Sequence, residues 1–141
     1  MVYGPGQQDL RKLVPYVTLA LLKGQTPELS SGARNVDWIY VDDVAAGYLA
    51  AATAKGVEGS TMDLGSGRLD TVRTVVEELA GLINPHIQPL FGSIAERTLE
   101  QIRMADVESS FRLLGWRTQV SLRDGLVRTA EWYREQLQRG A

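Results

Sequence analysis

Four short runs of β-branched and aromatic residues set the limits on what this chain can fold into: Val2-Tyr3, Trp38-Ile39-Tyr40-Val41, Thr61-Met62-Asp63-Leu64 and Ile87 to Phe91. Each is cut off by a turn signal or runs straight into a helical stripe, and strands alternating with helices predict α/β layering. The strands are few and short, so they make a poor sheet alone. Val2-Tyr3 begins at the first residues and stops at Gly4-Pro5-Gly6. It reads as the tail of an element whose beginning lies upstream.

The helical segments are better marked. Leu10, Leu13, Val14, Val17 and Leu21 form one apolar stripe over 9–23. Pro15 inside it implies a kink or a later start, and Gly24 ends it. Residues 25–36 read as polar and turn-rich. Asp42 or Asp43 is expected to cap a helix carrying Val44, Ala45, Tyr48, Ala51 and Ala52, bracketed by Gly56 and Gly59. Val72, Val75, Val76, Leu79, Ala80 and Ile83 give the cleanest periodicity, stopped by Asn84-Pro85. Pro89 places the Ile87–Phe91 strand at an edge. Asp106 caps a short helix with Val107, Phe111 and Leu114 on one face, closed by Gly115. Ser121 and Asp124 form a capping-box start for Leu122, Leu126, Ala130, Tyr133 and Leu137.

With 141 residues the chain is expected to form one domain, 1–141, without an internal repeat. The net charge of −2, with no Lys/Arg cluster, argues against nucleic-acid binding. Cysteine is absent and His86 is the sole histidine, which excludes a zinc site of His and Cys ligands. His86, in a loop without a Ser/Asp constellation, reads as exposed. No apolar run approaches the roughly 20 residues needed to span a bilayer. The N-terminus lacks the pattern of a signal peptide, so the expected location is the cytoplasm.

Four segments carry a resemblance. Val2-Tyr3-Gly4-Pro5-Gly6-Gln7, Asp37-Trp38-Ile39-Tyr40-Val41-Asp42-Asp43-Val44-Ala45, Asp63-Leu64-Gly65-Ser66-Gly67, and Leu113-Leu114-Gly115-Trp116 with the closing helix through Trp132-Tyr133 fall in order. Together they resemble the extended short-chain dehydrogenases/reductases, within them the NAD-dependent epimerase/dehydratase family. The resemblance implies the C-terminal part of a Rossmann-type fold, with few short strands and about five helices. It also implies the substrate-binding half of an enzyme acting on nucleotide-diphosphate sugars.

That family binds the pyrophosphate of NAD or NADP on a Gly-x-x-Gly-x-x-Gly loop at a helix N-terminus. This sequence has no such loop. Gly65-Ser66-Gly67 reads as a tight turn. The family's Tyr-x-x-x-Lys is also missing: Tyr3, Tyr16, Tyr40, Tyr48 and Tyr133 are followed four residues on by Gln7, Ala20, Val44, Ala52 and Leu137. The expectation is therefore that the dinucleotide-binding half is absent, and that this chain has no catalytic, cofactor-binding or metal-binding residue of its own and is inactive alone.

Arginine is the natural partner of a diphosphate, because its planar fork binds phosphate oxygens in pairs. Where the family has an arginine before its Asp-Trp-Ile-Tyr-Val block, Val36 stands here, with Arg34 two residues earlier. A second family arginine corresponds best to Arg97, with Arg103 close by. Tyr3 and Gly4 are expected near the pocket floor. The substrate-binding set is thus Tyr3, Gly4, Arg34, Arg97 and Arg103. Trp38, Tyr40, Trp116 and Trp132 read as core, and Asp42 and Asp43 as helix-start residues rather than an acid–base pair. The expected partners are a nucleotide-diphosphate sugar and either the missing Rossmann half or a second copy in a homodimer. The alternative is a stand-alone, non-catalytic binding or interaction module derived from that family.

Overall fold

Helix α3 (Val72–Ile83) is the centre around which the rest is built. Its Val72, Val75, Val76, Leu79 and Ala80 form the apolar face that the periodicity predicts, and Val75, Val76 and Leu79 have no exposed surface. Each such side chain contributes roughly 1.5–3 kcal/mol of burial. Thr71 starts the helix, its hydroxyl accepting the Thr74 N–H at 3.0 Å. Two further helices, α1 (Leu13–Leu22) and α5 (Leu122–Arg139), pack on α3 and on each other. The computed structural model describes residues 1–95 and 101–140.

The strands are short and lie in three pairs. β1 (Val2–Tyr3) runs parallel to β4 (Ile39–Tyr40), with Tyr3 opposite Tyr40. β2 (Glu28–Leu29) runs parallel to β6 (Leu90–Phe91), and β3 (Asn35–Asp37) antiparallel to β5 (Leu69–Thr71). The core joins Tyr3, Trp38 and Tyr40 from the first pair to Val14, Val17 and Leu21 of α1, the α3 face and Leu126 of α5. Helices α2 (Val41–Thr53) and α4 (Val107–Leu114) lie against each other, and α2 also against β1 and β4. No helix among the described residues is long and apolar enough to cross a membrane.

Several expectations hold. α1 resolves the Pro15 question by starting late, at Leu13, so the proline sits in the first turn, where its missing N–H is not needed. Leu10 consequently drops out of the stripe and is 51% exposed. Asp106 caps α4 and Gly115 closes it in the left-handed conformation at φ 64°. Ser121 and Asp124 form the capping pair of α5, with the Asp124 N–H 3.1 Å from the Ser121 hydroxyl. Trp38, Tyr40 and Trp116 are buried, Trp132 is half-buried against Tyr133, and His86 is exposed.

Others are corrected. The turn-rich stretch 25–36 contains β2 and the start of β3, and β5 had no sequence signal. Thr61–Leu64 is not a strand. α4 engages it instead: the Asp63 carbonyl accepts the Ser110 hydroxyl at 2.6 Å, and Leu64 packs over Gly47 of α2. The Trp38–Val41 run divides, because Val41 opens α2 and Tyr40 takes the N-cap position. Neither Asp42 nor Asp43 is the cap. On α4 the interior residue is Ser110, while Phe111 is 39% exposed beneath the Arg117 guanidinium.

Candidate substrate site

β1 ends at Gly4, whose φ of 150° and close approach to α2 admit no side chain: a Cβ would lie 2.5 Å from Val41 Cγ1. The backbone therefore turns sharply here, and a cleft opens on either side of the turn. One, of about 230 Å³, is lined by Tyr3, Gly4, Gln7, Lys12, Pro15 and Trp38. The other, of about 300 Å³, is lined by Tyr3, Gly4, Pro5, Gly6, Gln7 and Val41. Tyr133 of α5 steadies this loop by donating its hydroxyl to the Gln7 carbonyl at 3.2 Å. Gln7 and Lys12 are residues that sequence reasoning missed. Their signal is weak, since they are single polar side chains in a loop.

Tyr3 borders both clefts, but its side chain is structural. It is 4% exposed, sits edge-on to Trp38 and Tyr40, and donates its hydroxyl to the Leu122 carbonyl at 3.0 Å. Burial first, then the negative potential from Tyr40 and Asp43, raises its pKa above the usual phenol value. A phenol so held is a poor proton donor or acceptor toward a ligand. Tyr3 and Gly4 thus line both clefts without offering a reactive side chain.

Arg34 lies between β2 and β3 and is half-exposed, its carbonyl accepting the Val72 N–H at 2.9 Å. It is within electrostatic reach of Met1, whose amino group is lowered in pKa by burial, raised by Asp37 and lowered again by Arg34. Arg34 is thus near the start of β1 but does not line either cleft. Val36 is 7% exposed and belongs to the core. Arg103 is exposed, its guanidinium donating to Gln101 at 2.9 Å. Arg97 lies outside the described residues.

The two acidic residues of the Asp37-to-Asp43 block that turn inward have distinct tasks. Asp37 accepts the Ser66 N–H and the Ser66 hydroxyl, each at 2.7 Å, the Gly67 N–H at 3.1 Å and the Ala105 N–H at 3.0 Å. The N–H groups of the Gly65-Ser66-Gly67 turn thus form an anion-binding nest already filled by an internal carboxylate. That turn therefore has no free cradle for a cofactor pyrophosphate. Asp43, 4% exposed, accepts the Gln119 N–H at 2.9 Å and the Val120 N–H at 3.1 Å. Asp42 faces solvent in the first turn of α2, so the two carboxylates do not form a pair.

Burial alone would raise the pKa of Asp37, but the Ala105, Ser66 and Gly67 donors outweigh it and hold the carboxyl below the ordinary aspartate value. A depressed folded-state pKa gives stability that is present above the unfolded value, near 3.9 (approximately), and lost as pH falls through the folded one. Thermal melts followed by circular dichroism from about pH 6 to about pH 3 are expected to show the midpoint falling below about pH 4. Asp37→Asn is expected to start lower and fall less.

The sequence model of the NAD dependent epimerase/dehydratase family matches residues 1–65. The dTDP-glucose 4,6-dehydratase 1 of Escherichia coli K12 is 31% identical over 139 residues, an alignment covering 93% of this chain and 38% of that protein. The crystal structure of a UDP-glucose 4-epimerase from Thermotoga maritima with UDP-glucose superposes with a TM-score of 0.85 at 28% identity, over 96% of this chain and 44% of that one. The Bordetella bronchiseptica enzyme WbmF, in complex with NAD+ and UDP, superposes with a TM-score of 0.81 at 26% identity, over 97% and 44%. The α/β fold, with five helices among the described residues and few short strands, is that of part of a Rossmann-type epimerase. By sequence over residues 1–65 and by fold over nearly its whole length, the chain is similar to the NAD dependent epimerase/dehydratase family, and it spans less than half the length of these relatives.

Proposed function

We propose that residues 1–141 are one substrate-binding domain of a nucleotide-sugar epimerase/dehydratase, and that the domain does not turn substrate over by itself. The observation that carries this reading is the pair of clefts around Gly4, in the segment matched by the family model. Arg34, with Arg97 and Arg103, would grip the diphosphate, while the backbone of Tyr3 and Gly4 forms the floor. In the complete enzyme a dinucleotide-binding half would hold NAD or NADP. That cofactor would oxidise a sugar hydroxyl before epimerisation, dehydration or reduction. The exposed Tyr48 and Leu49 of α2 are apolar surface for such a half, or a second copy in a homodimer, to cover. The proposed location is the cytoplasm.

Isothermal titration calorimetry with UDP-glucose, dTDP-glucose and NAD tests this. Saturable heat with a sugar nucleotide and none with NAD is the expected result. Silence with all three would overturn it in favour of the alternative, a non-catalytic interaction module.

A further inference from the structure

The Asp37 carboxylate stands where four segments meet. Its own strand, β3, leads through Trp38, a wall of the first cleft, into β4. Its backbone carbonyl accepts the Met1 amino group at the start of β1. One carboxylate oxygen takes both donors of Ser66, and the other takes the N–H groups of Gly67 and Ala105. Ala105 closes the segment that carries Arg103, just before α4. The next tether, the Asp106 N–H to the Asp63 carboxylate, is longer at 3.3 Å and exposed. Asp37 is therefore the one buried acceptor among the described residues that ties the 101–105 segment to the strand end beside the cleft.

We propose that Asp37 is a positioning residue of the substrate site, which sets the reach of Arg103 toward the diphosphate by fastening Ala105 and the Gly65-Ser66-Gly67 turn to the end of β3. This rests on the reading of the chain as a sugar-nucleotide domain. Each carboxylate oxygen accepts two donors, so an asparagine has no orientation that satisfies them: whichever way the amide lies, its NH₂ faces a backbone N–H. Asp37→Asn is nearly isosteric and removes the latch with little change in packing. The direction of the effect is fixed because a freed cation spends less time at the position where it would meet a phosphate.

The test is a double-mutant cycle on the full chain, read by calorimetric titration with UDP-glucose for wild type, Asp37→Asn, Arg103→Gln and the double variant. The expected result is a loss of about tenfold or more in affinity for each single variant, with the double variant no weaker than Arg103→Gln, because Asp37 acts through Arg103. Additive losses, or unchanged affinity in either single variant, overturn the proposal. Additivity is what a purely structural role would give. Amide exchange at Val75 to Leu79 should quicken no more than the fall in the melting midpoint accounts for, as a check that the core is intact.

If wild type binds no sugar nucleotide, the functional reading fails separately. The latch is then judged by amide exchange at Ser66, Gly67 and Ala105 and by tryptic cleavage after Arg103. Faster exchange and cleavage in Asp37→Asn support it, and wild-type rates overturn it. Should Asp37→Asn fail to fold, Ser66→Ala takes its place in the cycle, since it deletes the 2.7 Å hydroxyl donor to Asp37 together with that hydroxyl's 3.2 Å bonds to the Arg68 backbone.

Discussion

Replacing Gly125 with alanine is expected to cost the chain about 3 kcal/mol, although a helical glycine-to-alanine change by itself favours folding by roughly 0.5–1 kcal/mol. Gly125 is buried in the first turns of α5, where that helix crosses the aromatic cluster. A Cβ there would fall inside the Tyr3 hydroxyl and 2.9 Å from both Tyr3 Cζ and Tyr40 Cδ2. The phenol cannot yield. It is hydrogen-bonded to the Leu122 carbonyl and wedged between Trp38 and Tyr40. Either α5 shifts away from α3 or the Tyr3 bond breaks, and overpacking outweighs the gain in helix propensity. Gly81 of α3 supplies the control, since a Cβ there meets nothing within 4 Å. Urea midpoints should move down for Gly125→Ala and slightly up for Gly81→Ala. Equal upward shifts would show that Tyr3 is not held as described.

The second large effect is expected at Asp43. Asp43→Ala should lose about 3 kcal/mol, because two hydrogen bonds to a buried carboxylate vanish and the Gln119 and Val120 N–H groups lose their acceptor. Relief of the cost of burying a charge offsets part of this and does not reverse it, since two donors remain without their partner. Asp43→Asn should recover less than half, as an amide offers one acceptor oxygen where two are used. Amide exchange at residues 119–120 would accelerate well beyond the change at the centre of α3. A loss confined to the start of α2 would indicate instead the local capping role that the sequence suggests.

Asp43 also shows where sequence reading stops. An acidic residue just ahead of an apolar helix has a local use as a cap, and nothing in the local pattern reveals that its partners are 76 and 77 positions away. The same limit hid β2 and β5. A strand of two or three residues carries no periodicity, and β2 exists only because Leu90 and Phe91 come to lie beside Glu28 and Leu29. Thr61–Leu64 failed in the opposite sense: β-prone side chains were present, but α4 took the place of a neighbouring strand. What was legible was local or periodic. The α3 face, the Ser121 and Asp106 caps and Gly115 each rest on residues within a few positions of one another. Of the candidate site, the family pattern pointed to the Tyr3–Gly4 corner, which lines both clefts. The inward carboxylates and the cleft positions of Gln7 and Lys12 were not.

The hydroxyl of Tyr3 reaches a carbonyl 119 residues further along, and that of Tyr133 reaches back to Gln7 across 126. The corner that lines the clefts is thus braced by α5. Synthesis runs from β1 toward α5, so this corner is completed only after the later segment has emerged. A polypeptide still lacking α5 would present an open β1 corner with its aromatic ring unseated.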